Sequence, residues 1–323
     1  MTMMTSTNTA EEDNSSSLIL LNYANAIIFF INLVIVFGSQ SPYARGMKDN
    51  ATLSKKYQTL VTPKGYAFSI WGIIFIAEMV FVVTQFIPFY SNPHFVKDIV
   101  GYNFILACIA QSLWSVCFGY EMILASMVCM IGILVPLCAI VFHIFNPSLD
   151  TTATVIGVSR GSFSSWLCNE FPIEIHCGWI MAATLVNLNL LLVSYQVSSM
   201  VQIVAAYTTL ATILLVGIYS CFMIFVIVGD GSAGGSDGSA ARPVSAVFDD
   251  HQPSYVIPFV LVWASMAISK ELEHPIESIA ANFSPDTIKV IKVASKSIGY
   301  LILICAGIRF SLHWLICIIS NTC

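Results

Sequence analysis

The feature that most constrains this chain is a series of long segments that carry no charge. The clearest runs for 26 residues, from Ile203 to Val228, without Asp, Glu, Lys or Arg. A helix needs roughly 20 apolar residues to cross the hydrocarbon core of a bilayer. Lipid offers no hydrogen-bond partners to the backbone, so spanning segments form helices or closed barrels. The chain is therefore predicted to be an all-α, polytopic membrane protein.

About eight such segments are predicted, and all of them are interpreted as helices. Their bounds are Leu18–Gly38, Tyr66–Phe89, Ile99–Phe118, Met122–Phe145, Ile173–Tyr195, Ile203–Val228, Ser254–Ser269 and Ile298–Ile319. The seventh is the weakest, because it is short and contains Pro258. An interpretation with seven spans therefore stays open.

Composition excludes most other classes of protein. Hydrophobic residues make up 57% of the 323 residues and charged residues 10%, and the mean hydropathy is +0.82. A soluble domain has about 25% charged residues. With 13 Lys and Arg against 18 Asp and Glu, the net charge is −5, and no basic stripe for nucleic acid is present. The expected partner is the lipid bilayer, with no nucleic acid.

Basic residues in the predicted loops set the expected orientation, because they concentrate on the cytosolic side. One side carries nine basic residues: Arg45, Lys48, Lys55, Lys56, Lys64, Lys270, Lys289, Lys292 and Lys296. The other side carries three, namely Lys97, Arg160 and Arg242. Both termini are therefore predicted to be non-cytosolic. Which membrane holds the protein does not follow from the sequence.

The sequence contains none of the motifs that identify common enzymes. We find no HExxH, no GxSxG, no Walker loop and no carboxylates at catalytic spacing, so no catalytic residue and no enzymatic activity are predicted. No cofactor is certain and no metal site is predicted. Most of the ten cysteines lie inside spans, where cysteine acts as a small hydrophobe. Cys168 and Cys177 could form a disulfide in an oxidising lumen.

Glu78, Arg309 and His313 are candidate functional residues inside predicted spans, where ionisable side chains are costly unless they are paired or hydrated. Glu78 lies in the second span, and Arg309 lies in the middle of the eighth. His313 follows Arg309 by one helical turn on the same face. Glu78 is the predicted partner of Arg309, either as a structural ion pair or as part of a polar pocket for an amphiphilic ligand.

An aromatic series follows the second to fifth spans. Trp71 and Phe75 are four residues apart and share a helix face, as do Trp114 and Phe118. Tyrosine and tryptophan near helix ends usually form an interfacial belt, whereas aromatic walls with a few polar groups suit a flat apolar ligand. From the residues alone, both interpretations of Trp71 stay open.

Three stretches together resemble the tryptophan-rich sensory proteins, relatives of the TspO or translocator protein family. TPKGYAFSIWGIIF at residues 62–75 resembles the family signature TPxGYxFxIWGxIY. Gln111 to Trp114 with Phe118 resembles a stretch of the third family helix, although asparagine is usual at the place of Gln111. Gly178 to Thr184 with Asn187 resembles a stretch of the fifth.

The resemblance covers residues 18–195 and implies a five-helix bundle with an aromatic pocket for porphyrins, haem or sterols. By position, the ligand-binding residues are Tyr66, Phe68, Trp71, Trp114, Trp179 and Asn187. The implied organisation is a polar tail at 1–17, the TspO-like bundle at 18–195, and three further helices at 196–323 with a Gly/Ser linker at 229–243. A homodimer is compatible with this architecture.

The resemblance implies a membrane protein that binds, and transports or senses, a hydrophobic small molecule such as a porphyrin, haem or a sterol. One alternative is a secondary transporter or channel for a polar solute, with Glu78 and Arg309 on its path. The other is an enzyme that modifies tetrapyrroles, for which the sequence offers no catalytic set.

Overall fold

The computed structural model describes residues 3–41, 46–145, 163–222 and 254–320. Within these ranges the regular structure is helical, without strands, which confirms an all-α polytopic membrane protein. The α-helices are α1 (Met3–Ser39), α2 (Asn50–Lys56), α3 (Ile70–Thr84), α4 (Asn103–Gly119), α5 (Ile123–Phe145), α6 (Phe163–Ser194), α7 (Ser199–Phe222), α8 (Val256–Glu271), α9 (Glu277–Asn282) and α10 (Pro285–Ser320). A 3₁₀ turn (Gly65–Ser69) leads into α3, and a π-helical turn (Phe95–Val100) precedes α4.

Six helical segments of the described ranges are long and apolar enough to cross a membrane. They are Ser16–Ser39, Gly65–Thr84, Ile123–Phe145, Phe163–Ser194, Ser199–Phe222 and Pro285–Leu312. Two further predicted spans correspond to α4 with 17 residues and α8 with 16 residues. Pro258 lies in the first turn of α8, where the missing N–H removes no helical hydrogen bond. The predicted Gly/Ser linker at 229–243 lies outside the described residues.

Helix α1 begins earlier than its apolar segment. The sequence predicts a polar tail at 1–17, whereas the helix runs without a break from Met3 to Ser39. Inside the apolar segment, Val34 is exposed while Asn25 and Asn32 are fully buried. Lipid covers the exposed apolar side chains of such a protein, and the polar groups find partners between the helices.

Helices α4 and α5 form a hairpin. The turn runs through Gly119 to Met122, and Glu121 adopts a left-handed conformation with φ of 60°. The Glu121 carboxylate accepts hydrogen bonds from Lys48 and Lys56 at 2.9 and 2.7 Å. The backbone N–H of Lys48 donates to Gly119 O. The segment after α1 and the α4–α5 turn therefore lie at the same end of the bundle.

Helix α8 packs directly against the segment that carries the family signature. The Lys64 N–H donates to Ala267 O at 3.0 Å, and the Trp263 indole donates to Ala67 O at 3.2 Å. The Lys64 ammonium also lies 3.1 Å from the Glu271 carboxylate. Helix α8 contacts α6, α7 and α10 as well, so helices on both sides of residue 195 form one packed bundle.

Candidate ligand-binding site

A mostly apolar cavity lies between α3, α4, α5, α6, α7 and α8, close to the end where Lys64 meets Glu271. It encloses about 700 Å³ of empty space, including the part that is open to solvent. Little of this space admits a water molecule, because the walls are close together. Its lining includes Phe68, Trp71, Trp114, Trp179 and Asn187.

The rings of this wall contact one another edge to face. The Trp179 ring lies 6.3 Å from the Trp71 ring and 5.9 Å from the Phe68 ring, with interplanar angles of 85° and 87°. Trp114 stacks on Phe118 at 5.1 Å and 13°. Such arrangements follow the ring quadrupoles, and they hold the indoles in defined orientations along a narrow space.

Two buried hydrogen-bond donors of this wall lack acceptors. The indole Nε1 atoms of Trp114 and Trp179 have no hydrogen-bond partner among the described residues, and the side chains are 8% and 2% exposed. A buried donor that is left unsatisfied costs about 1–3 kcal/mol. An acceptor atom supplied by a ligand would recover this energy.

A polar vestibule adjoins the aromatic cavity. It holds about 1100 Å³ of empty space, including the part open to solvent, and shares Asn50, Ser54, Pro63, Phe68 and Trp71 with the cavity. Its lining adds charged groups from α2, the segments that flank it and α8, namely Asp49, Lys55, Lys64 and Glu271. The two spaces together offer an aromatic slot with a charged mouth.

The charged groups of the vestibule are not equally available. The Glu271 carboxylate contacts Lys64 and accepts a hydrogen bond from Gln58 at 2.8 Å. Asp49 caps α2 by accepting hydrogen bonds from the N–H and the hydroxyl of Thr52. These bonds lower the pKa of Asp49. Lys55 is exposed at the same opening, where its ammonium can reach an anionic group.

The structure brings five of the six predicted ligand-binding residues to one cavity. The exception is Tyr66, which is 45% exposed and lies edge-on to Trp263 at 5.2 Å, outside the cavity lining. The wall is completed from α7 and α8 by three residues that were not predicted, Ile213, Ala264 and Ile268. Aliphatic residues in apolar helices give no signal that would distinguish them as pocket residues.

The predicted pairing of Glu78 with Arg309 is wrong. Glu78 Oε1 lies 2.7 Å from Nδ1 of His176 on α6, and both side chains are buried. Helix α3 packs on α6, whereas α10 packs on α7 and α8, so Arg309 belongs to a different part of the bundle. It is buried beside Tyr255. The side chain of His313 lies outside the described residues.

The cysteines also group differently from the prediction. Cys177 Sγ lies 3.9 Å from Cys138 Sγ on α5. Cys168, which could have paired with Cys177, is a free buried thiol. Cys177 is also free and buried, and Cys138 is free and half-buried. Within the described ranges, no group of three or more His, Cys, Asp or Glu side chains could hold a metal ion.

The fold and the cavity define a class, the polytopic α-helical membrane protein with an aromatic pocket between its helices. Within that class, the sequence of the chain identifies a family: a model of the TSPO-like protein family matches residues 22–306. The chain therefore belongs to the TSPO-like protein family. The match continues beyond residue 195 into α10, so it includes helices α7 and α8. No curated protein and no solved structure matches the chain.

Proposed function

We propose that this protein binds a flat, hydrophobic small molecule with hydrogen-bond acceptors, such as a porphyrin, haem or a sterol, between the aromatic rings of the cavity. The observation that carries the proposal is the pair of unpartnered indole donors of Trp114 and Trp179 in an apolar wall. Ligand sites combine apolar walls with a few polar groups that fix orientation.

The vestibule supports an amphiphilic ligand over a purely apolar one. The apolar body would occupy the slot beside Trp71, and a polar or anionic end would reach Lys55 at the mouth. Porphyrins carry such carboxylates. Transport would require release of the bound molecule, and sensing would require its recognition by a partner. Both functions begin with binding.

The residues offer less support to a path for a polar solute. The predicted pair of Glu78 and Arg309 is not formed, because Glu78 bonds to His176. The cavity wall is dominated by aromatic and aliphatic side chains. An aqueous path would need hydrated polar groups along its length, so binding of a hydrophobic ligand is the function that the geometry favours.

The test is an absorbance titration of the purified protein with protoporphyrin IX. Trp71→Ala should weaken binding by about tenfold, since a lost aromatic contact costs on the order of 1 kcal/mol beyond its area. Trp114→Phe keeps an aromatic ring but removes the indole N–H, and should weaken binding about fivefold. Trp314→Ala, on the exposed face of α10, is the matched control.

The result that contradicts the proposal is equal affinity in wild type, Trp71→Ala and Trp114→Phe at equal yield of folded protein. A parallel titration with a sterol separates the two ligand classes. A porphyrin that binds with its carboxylates at the mouth should also lose affinity in Lys55→Gln, whereas an uncharged sterol should not.

A further inference from the structure

A buried pair of ionisable side chains lies behind the aromatic wall. His176 Nδ1 and Glu78 Oε1 are 2.7 Å apart, and the two side chains are 1% and 0% exposed. Both lie inside segments that are long and apolar enough to span a membrane. The remaining atoms, His176 Nε2 and Glu78 Oε2, have no hydrogen-bond partner in the described ranges. An ionisable residue at such a place is costly, and functional sites are where it is usually found.

The chemistry of the pair concerns protons. A carboxyl and an imidazole that share a hydrogen bond have three protonation states, with net charges of −1, 0 and +1. The neutral state is favoured in a low-dielectric interior, because an unbalanced charge loses its hydration there. The free positions on Nε2 and Oε2 give the pair capacity to gain or lose a proton without breaking the bond between its members.

Most side chains that the structure describes around the pair are neutral. Cys108 of α4 is a buried thiol near Glu78. Cys138 of α5 contacts Cys177, the residue after His176. Glu174 of α6 binds Ser254. The buried polar side chains of helix α1 include the neutral amides of Asn25 and Asn32. Helix α8 packs against Gly178 of α6 through the apolar residues Val260 and Ile257. In the described ranges no Lys or Arg forms a salt bridge with either member.

Trp71 connects the pair to the cavity. Its ring lies 5.8 Å from the His176 ring at an interplanar angle of 71°, and the same ring lines both the aromatic slot and the vestibule. A ligand in the slot would therefore contact the same indole that contacts His176. No other ring of the wall contacts His176 in the described residues.

We propose that the His176–Glu78 pair is an intramembrane proton-binding site, and that an anionic ligand in the aromatic cavity promotes uptake of one proton by the pair. The second half of this proposal rests on the proposed function. An anion favours the +1 state, so proton and ligand bind cooperatively, and each raises the affinity of the other by the same factor. The anion should therefore bind more tightly at lower pH.

The size of the effect follows from Coulomb's law. For unit charges about 10 Å apart at an effective dielectric constant of about 20, the affinity changes by roughly tenfold. An uncharged ligand of the same shape should show no such dependence. Protoporphyrin IX and its dimethyl ester form a matched pair of probes, because esterification removes the charges and keeps the ring.

The proton site is tested first without any ligand. An imidazolium quenches the fluorescence of an indole that it contacts, so Trp71 reports the protonation of His176. Wild-type fluorescence should fall as the buffer is taken from about pH 8.5 to about pH 5.5. The fall should disappear in His176→Gln and in Trp71→Phe. It should persist in His274→Gln, which removes a histidine near the mouth, next to Glu273.

An unchanged titration in His176→Gln would overturn the proton site. The conservative variant Glu78→Gln keeps a hydrogen-bonding amide beside His176 and should fold, and it should shift or abolish the fall. Circular dichroism and size-exclusion chromatography of each variant establish that its helices and its monodispersity are retained, so that a lost titration is not a lost fold.

The link to the cavity is tested by measuring affinity across the same pH range. Protoporphyrin IX should bind about tenfold more tightly at the acid end, its dimethyl ester should not, and His176→Gln should remove the difference. A titrating Trp71 with pH-independent protoporphyrin binding would overturn the link. If protoporphyrin IX binds at no pH, the proposed function fails, and the ligand-free titration still decides the proton site.

Discussion

Asn32 of α1 joins two residues of α4 inside the bundle. Its Nδ2 donates to Gln111 Oε1 at 2.7 Å, and its Oδ1 accepts from the Ser112 hydroxyl at 3.0 Å. All three side chains are buried. Gln111 stands where asparagine is usual in the related family stretch, and its longer side chain reaches across to α1. Hydrogen bonds of this kind connect helices where lipid gives no hydrophobic driving force.

Asn32→Leu should destabilise the bundle by about 0.5–2 kcal/mol, because Gln111 loses its partner and Ser112 keeps its bond to Cys108 O alone. Adding Gln111→Leu should recover part of the loss, since no buried amide then remains unpaired. Val34→Leu, on the exposed face of the same helix, is the control. Additive effects in thermal unfolding of the double variant would show that the two amides are not coupled.

Gly217 permits the close contact of α7 with α10. A Cβ at this position would lie 2.5 Å from Cδ1 and 2.8 Å from Cγ1 of Ile302. Gly217→Ala should therefore destabilise the protein by about 1–3 kcal/mol, and Ile302→Ala in the same chain should relieve the clash. Gly307→Ala, with no atom within 4 Å of its added Cβ, should be neutral. The measurement is the midpoint of thermal unfolding in detergent.

The sulfur atoms of Cys138 and Cys177 should form a disulfide when a lipid-soluble oxidant such as iodine is added. The two thiols lose two electrons and two protons, and iodine becomes iodide. A disulfide needs about 2.05 Å between its sulfurs, so side-chain movement from 3.9 Å suffices. Peptide mass spectrometry should find the 138–177 link in Cys168→Ser and lose it in Cys177→Ser. A link between residues 168 and 177 would contradict the arrangement.

Acid should weaken the contacts at the α4–α5 turn. Hydrogen bonds from Lys56 and then Lys48 lower the pKa of Glu121. Because the folded pKa is depressed, these bonds stabilise the protein above the unfolded value of about 4.3 and are lost as the pH falls through the folded pKa. Wild type and Glu121→Gln should differ in unfolding midpoint at neutral pH and converge in acid. Glu277→Gln at the exposed start of α9 should follow wild type.

The predicted orientation can be tested by labelling with a membrane-impermeant maleimide. In a background without accessible native cysteines, Ser91→Cys should react in intact cells that carry the chain in the plasma membrane. Lys55→Cys, at the other end of α3, should react only after permeabilisation. The reverse pattern would place the vestibule and its basic residues outside. Labelling of both residues in intact cells would mean that the two ends share a side.

The aromatic site shows how much of the candidate site could be predicted from the sequence. Trp71, Trp114 and Trp179 occur in stretches with a family pattern, and that pattern is enough to predict that they are neighbours. Their pairing into a ligand site stays a prediction until binding is measured. The partner of Glu78 could not be found in this way, because depth along a helix does not identify the helix beside it. His176 occupies that place because α3 packs on α6.

The sequence by itself determined the solvent and the secondary structure of this protein. Apolar segments that are long enough to cross a bilayer lie in lipid. Lipid offers no hydrogen-bond partners, so their backbones form helices. The tertiary structure decided which side chains share an interior. Helices that are apolar on every side pack by small residues and a few hydrogen bonds, and such contacts depend on neighbours that are distant in the chain. One example is the hydrogen bond from the Lys64 N–H to Ala267 O, which joins distant parts of the chain and holds α8 in the wall of the cavity.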